Sequence, residues 1–588
     1  MAEPMTQTEP PSPPAKADHR GRPRFLERLS EAYSLRRKNI AILTGDTYGL
    51  FWSPKSERFS SLDRLFHREL GEKFNLVRIN ISQGLSFYDF KTESEVIRIC
   101  ESKDGQYIPP GRMKSFKGMI DSSRNNPLSA LVLLQGITEA FARNRELEPA
   151  CKPLCAVFHF AGALFPPGDY SRLSELDRQR LVAFLSWVSS PDFVEGPDLI
   201  ILINHVKAEI NPKIFALPNG AHVEIDLPNQ EERLFFVERF IKVEGGVRFA
   251  GGRERFAEDT AGLGLNNIKD MMEVAVRSRK TVSRDQVVKE VNTILQAQLG
   301  DIIRIKYPSH GPEDIIGHRK TGQIFSELFK RNEDPETAVA ALLVSGPNGG
   351  GKTFQLEAYA AQSGRVVIEL AGIRGSLFGE TDRFFELLRW HITTFGKILI
   401  LVDEAHTAFG SIHSSDTHQT EQRLSGNIIK MMGDPTYLGK VFWALMTSRP
   451  DELDPDIKSR APVQVPIFDM EGEERRDFVR EMLRRKGLTP EDGALDEIMT
   501  RTAYYSARDY RNFVAEVLAQ RRSDKKRTAL EVLNGWQASK SINKQRFFQE
   551  VIAALHCSYP DLLPERFAAL SDEELSSLAD ELKQMLRR

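Results

Sequence analysis

The chain is 588 residues long, 41% hydrophobic and 28% charged, with 80 basic against 82 acidic side chains and a formal net charge of -2. That length exceeds what one hydrophobic core can organise and predicts roughly three to five structural units, while the even charge excludes a uniformly basic polyanion binder. Four cysteines, Cys100, Cys151, Cys155 and Cys557, are too few and too scattered for a disulfide framework, and no apolar run reaches the roughly 18 residues that span a bilayer.

In chain order, residues 1–24 are rich in Pro and polar side chains and contain no apolar signal core. They predict a disordered tail and, with the reduced cysteines, a cytoplasmic protein that does not insert in membranes. Cys151 and Cys155 have no second Cys or His pair at finger spacing, so a structural role is preferred to a metal one. Apolar strand candidates follow in NIAILTG, in CAVFHF ending at His159 and Phe160, and in LIILINH near Asn204. From Asn229 the pattern NQEERLFFVERFI reads as helix.

The second half carries the chemistry. An apolar strand, AVAALLVS, runs into GPNGGGKT and then into the helical run FQLEAYAAQS. This G-x-x-x-x-G-K-T spacing lets Gly346, Pro347, Asn348, Gly349, Gly350 and Gly351 curl their backbone around phosphates, with Lys352, Thr353 and Phe354 opening the helix. Lys352 is expected to reach the β and γ phosphates and the Thr353 hydroxyl to ligate Mg2+. About fifty residues on, KILILVDEAH is an apolar strand ending in Asp403, expected to hold Mg2+, and Glu404, expected to orient and deprotonate the attacking water. KVFWALMTS ends in Thr447 and Ser448, polar groups placed to position the same water. Arg460, at the end of RPDELDPDIKSR, reads either as a solvated surface arginine or as an arginine finger for a neighbouring subunit's ATP. Arg508, in the first turn of SARDYRNFVAEVL, needs an anionic partner because a cation is disfavoured at a helix N-terminus. His406, His413 and His418 flank a Ser/Thr-rich loop whose spacing fits a loop better than a metal centre.

The chain also resembles itself. CAVFHFAGALF aligns with LVDEAHTAF and its preceding strand at an offset of 244, as does LIILINH with VFWALMTS. NQEERLFFVERFI and TAGLGLNNIKDMMEVAV align with later helical segments at an offset of 242. Across this repeat Phe51 falls near the Lys352 position, His159 stands for Asp403, Phe160 for Glu404 and Asn266 for Arg508. The first copy is therefore expected to lack the chemistry.

These motifs resemble the AAA ATPases, most nearly the tandem-domain class typified by valosin-containing protein and the N-ethylmaleimide-sensitive fusion factor. The resemblance implies an α/β fold of two tandem P-loop AAA+ modules, each a parallel sheet flanked by helices with a helical lid, the first degenerate. Its boundaries would be a tail to 24, a degenerate α/β domain over 25–227, its lid over 228–300 and a linker over 301–312. An active domain over 313–466, a lid over 467–524 and a helical extension over 525–588 would complete it. It gives Ile316 and Gly317, in EDIIGHRK, adenine recognition through the backbone. In GSLFGETDRFFELLR it gives Leu377 and Phe378 a pore-loop grip on polypeptide. Two departures stand out: Ser448 replaces the usual sensor Asn, and Arg508 stands where this class often has Ala. The implied protein is an ATP-dependent hexameric ring that remodels a protein client or adaptor-bound substrate with ATP and Mg2+. A nucleic-acid motor, kept open by Arg374, and a slow nucleotide-switched scaffold are the alternatives.

Overall fold

The computed structural model describes residues 21–36, 38–101, 116–299, 303–370, 381–395, 397–409, 419–490 and 492–587. The chain divides into two units, Met1–Val287 and Val288–Arg588. In the first, β1 (Ile40–Gly45) is buried throughout and leads to a short hairpin of β2 (Phe51–Ser53) and β3 (Arg58–Ser60). There follow β4 (Asn75–Asn80), β5 (Gly84–Phe87), β6 (Leu154–His159), β7 (Leu199–Ile203) and β8 (Gly220–Ile225). The sheet runs β5-β4-β6-β7-β1-β8, parallel except for the β4–β5 pair.

Uninterrupted apolar strands form here because helices cover both faces. Alternate residues divide between two cores, as the two-residue side-chain period requires. Ile40, Ile42, Ala156, Phe158, Ile200 and Leu202 meet the helices Phe90–Glu101, Pro127–Leu147 and Glu175–Val188. Ala41, Leu43, Cys155, Val157, Ile201 and Ile203 meet Arg24–Arg36 and Leu62–Leu70. Cys151 and Cys155 point into different cores and are free thiols.

In the second unit β9 (Ile303–Lys306), β10 (Ala341–Ser345), β11 (Val366–Leu370), β12 (Ile398–Val402), β13 (Val441–Thr447) and β14 (Val463–Pro466) form a sheet ordered β14-β10-β13-β12-β11-β9. All pairs are parallel except β9 with β11. Strand for strand, β8, β1, β7, β6, β4 and β5 take the same sheet positions in the first unit as β14, β10, β13, β12, β11 and β9 in the second. The segments related by the 244-residue offset, β6 with β12 and β7 with β13, thus occupy matching places. The matched strands β1 and β10 lead into different structures. After β10 the chain enters the helix Lys352–Gln362 within seven residues, whereas after β1 it enters the β2–β3 hairpin.

Each sheet is followed by helices. Those of the second unit, Gly472–Arg484, Asp492–Arg501, Ala507–Ser523 and Ala529–Gly535, share one core that includes Val532, Leu533 and Trp536. The last helices, Asn543–Leu555 and Asp572–Arg587, pack with Phe468 beyond β14, and the latter starts with a Ser571–Glu574 capping box.

Glu550 is 4% exposed in this region, accepting the Asp469 N–H at 3.2 Å and an Arg566 guanidinium N–H at 2.9 Å. Burial pushes its carboxyl up to about 7, with Asp469 adding to the shift and Arg566 and Arg546 opposing it. The folded chain then holds a proton that the unfolded chain releases between the ordinary glutamate range and pH 7. Stability from this group is therefore present at low pH and lost as pH rises through about 7, by ~1–3 kcal/mol. Thermal midpoints measured from pH 5 to 8 are expected to fall for the wild type and to fall less for Glu550→Gln; equal slopes would contradict this assignment.

Candidate active site

The C-terminal ends of β10, β12 and β13 lie side by side, and polar residues first appear where these buried strands end. After Ser345 the chain turns at Gly346, whose φ of +135 and distance of 2.1 Å from a built Cβ to the Ile467 carbonyl oxygen admit no side chain. Gly349 and Gly351 also have left-handed backbone, at +89 and +94. A Cβ at Gly349 would lie 3.1 Å from Ser506 Oγ, and the Gly349 carbonyl accepts the Arg508 N–H at 3.2 Å. Gly351 precedes the helix at Lys352. The expected glycine loop is thus a turn between a buried strand and a helix N-terminus.

Lys352 donates from Nζ to the carbonyls of Gly346 at 2.9 Å and Pro347 at 3.1 Å. Burial pushes its pKa down to about 8, Glu404 and Asp403 oppose the shift, and Arg508 adds to it. Asp469, beyond β14, opposes the shift as well. Thr353 lies in the first helical turn, and Phe354 is half-exposed with its ring stacked 4.0 Å from that of His310. The Asn348 N–H is given to Gln549 Oε1 at 3.2 Å.

Asp403 is exposed just beyond β12, and its Oδ1 accepts the Glu404 N–H at 2.9 Å. Glu404 has a left-handed φ of +47. Thr447 and Ser448 are buried, and Thr447 Oγ1 accepts the Arg449 N–H at 3.0 Å and lies 2.8 Å from His406 Nδ1. His406 Nδ1 is also 3.5 Å from Glu404 Oε2. His406 therefore bridges the two strand ends, a role its place in DEAH did not disclose.

Ile316 packs into the lid core, and Gly317, with φ +77, lies under the Met470 sulfur, 2.4 Å from a built Cβ. A narrow cavity lined by His318, Gly350, Asp469, Met470, Ala507 and Tyr510 adjoins them. The Arg508 guanidinium is exposed at the lid helix start, where a Ser506–Asp509 capping box satisfies the backbone. Arg460 stands apart from this group, exposed at the end of Pro455–Arg460 with its guanidinium against Gly433. Leu377, Phe378, Arg374, His413 and His418 lie outside the described residues.

Residues 342–468 match the family model "ATPase family associated with various cellular activities (AAA)", and residues 11–226 match "AAA+ chaperone, N-terminal Rossmann-like domain". The chain carries an AAA domain behind an AAA+ chaperone N-terminal domain. Both are α/β folds, and an AAA domain implies nucleotide binding. The chain is 27% identical over 199 residues to the ATPase family gene 2 protein of Schizosaccharomyces pombe, a match covering 32% of this chain and 24% of that protein. It is 26% identical over 188 residues to Protein SAV of Sulfolobus acidocaldarius, covering 31% and 24%. The matched stretch thus spans about a quarter of each of these relatives. Among the described residues no helix is long and apolar enough to cross a membrane.

In the N-terminal domain the corresponding strand ends differ. His159 Nε2 pairs with Asp63 Oδ1 at 2.9 Å, and Phe160 is exposed with a φ of +57. Asn204 is buried and bonded to Gly162, Val206 and Glu209, while Asn266 donates to the Tyr48 carbonyl. Gly45 repeats the Gly346 turn, with φ +95 and a built Cβ 2.3 Å from the Ile225 carbonyl oxygen.

The loop geometry separates two glycines of the AAA domain. Gly346→Ala meets both backbone strain and the Ile467 carbonyl, whereas Gly351→Ala, with nothing within 4 Å, meets strain alone. Expected costs are ~3 kcal/mol or more for the first and ~1 kcal/mol for the second. Calorimetric midpoints of the two variants would check this, and equal shifts would refute the close approach.

Proposed function

We propose that the AAA domain binds ATP with Mg2+ and hydrolyses it to ADP and phosphate, and that the N-terminal domain has lost this chemistry. The observation that carries the reading is a glycine loop bonded to Lys352 at the C-terminal end of β10, on the same edge of the parallel sheet as the β12 end that carries Asp403 and Glu404, where such folds bind ligands. Loop amides and the Lys352 ammonium would neutralise the phosphates. The exposed Asp403 carboxylate and the Thr353 hydroxyl are oxygen donors suited to a hard divalent ion, which supplies charge neutralisation for the leaving phosphate. Glu404 takes the proton of the attacking water, and Thr447 and Ser448 hold that water in line. Ile316 and Gly317 line the base, Arg508 approaches from the lid, and Arg460, exposed at the end of Pro455–Arg460, serves a neighbouring subunit of a six-membered ring.

A protein client is preferred to a nucleic-acid track because the N-terminal match is to a chaperone domain. In this reading that domain is a client or adaptor tier: its strand-end His159 is paired with Asp63, and a hairpin follows where a phosphate-binding helix would start.

Glu404→Gln is expected to lower ATP turnover by about 100-fold or more while nucleotide remains bound; near wild-type turnover would remove Glu404 from the mechanism. His159→Ala is expected to leave turnover within about twofold, and its loss would make the N-terminal domain a participant in the chemistry.

A further inference from the structure

The helix Asn543–Leu555 lies outside both matched family segments, yet one of its faces bonds to the glycine loop, to the segment beyond β14 and to the helices that follow the sheet. Arg546, Gln549 and Glu550 stand three and four residues apart, so they project together. All are buried, at 6%, 2% and 4% exposure. Gln549 Oε1 accepts the N–H of Asn348 within the glycine loop at 3.2 Å. Arg546 pairs with Asp469, three residues past the end of β14, and donates to the Tyr504 carbonyl at 3.3 Å in the lid. Glu550 accepts the Asp469 N–H at 3.2 Å. The opposite side of the helix is anchored by Phe548, Val551 and Ile552 in an apolar core with Phe468 and Phe567.

We infer that Gln549 is a positioning residue of the nucleotide site, holding the Asn348 peptide so that the loop amides beyond it are set before ligand arrives. This rests on the reading of the loop as an ATP site. A glycine-rich loop has much backbone freedom to lose on binding, and fixing one peptide plane in advance removes part of that loss. Asn348 is flanked by Pro347, whose φ is already restricted, and by the left-handed Gly349. Its amide is therefore the point at which one acceptor can set the direction of the loop. The Arg546 and Glu550 contacts fix the helix against Asp469, which keeps Gln549 at hydrogen-bonding distance. The acceptor comes from 201 residues away in sequence, so the C-terminal helices are part of the site and not an appendage to it.

The test compares four full-length proteins: wild type, Lys352→Ala, Gln549→Leu and Val551→Ala. Gln549→Leu keeps the side-chain bulk and removes the acceptor. Val551→Ala, at a fully buried position on the same helix, perturbs packing without touching the loop. Gln549→Leu is expected to raise KM for ATP about five- to tenfold with kcat changed less than twofold, because bound ATP can itself order the loop. Val551→Ala is expected to lower the thermal midpoint with KM within twofold of wild type. An unchanged KM in Gln549→Leu, or an equal rise in Val551→Ala, would overturn the inference. Nucleotide affinity undiminished in Lys352→Ala would instead overturn the site reading on which it rests, so the two failures are distinguishable.

Discussion

The carbonyl oxygen of Ile467 lies 2.1 Å from where a side chain on residue 346 would begin, and that of Ile225 lies 2.3 Å from the same point on residue 45. In a parallel sheet the turn leaving β10 must pass against the chain emerging from its neighbour β14, and β1 and β8 repeat the arrangement. Only glycine accepts both that approach and the left-handed backbone. The contact fixes where the turn goes without dictating what the next residues do. In one unit they form a loop capped by a helix, and in the other a hairpin. The frame of the fold is thus separable from the chemistry built on it.

That separation explains what could be read from the sequence. The buried strands β1, β6, β7, β10, β12 and β13 were legible as apolar runs because both sheet faces are covered, so no alternation was needed to find them. The internal offset of 244 was legible for the same reason, and it aligns Phe160 with Glu404, two residues that share a left-handed backbone while sharing no chemistry. A non-glycine residue is costly in that conformation. Its recurrence at matched strand ends shows that the turn geometry is a demand of the fold, met by a carboxylate in one unit and an aromatic ring in the other.

The remainder was illegible because it depends on contacts remote in sequence. The antiparallel edge is supplied by β5 after β4 in one unit and by β9 before β10 in the other, so no constant offset relates them. The lid core reaches Trp536 because Val532 and Leu533 pack against helices read as its end. Gln549 meets Asn348 across 201 residues, and His406 meets Thr447 across 41. Neither contact has a local period or motif; each arises from which strand ends the sheet order places together.

The same order sets up the electrostatics of the cleft. A cation in the first turn of a helix is opposed by the helix dipole, and the lid helix answers this with Asp509 in a capping box, leaving Arg508 directed outward. Arg508 and Lys352 are then close enough for the arginine to lower the lysine pKa, so two like charges share one cleft. Asp403 and Glu404 at the β12 end and Asp469 beyond β14 offset them, while the cations come from the loop and the lid. Cations brought by the loop and the lid beside carboxylates at strand ends suit an anionic ligand, in keeping with the nucleotide binding that an AAA domain implies.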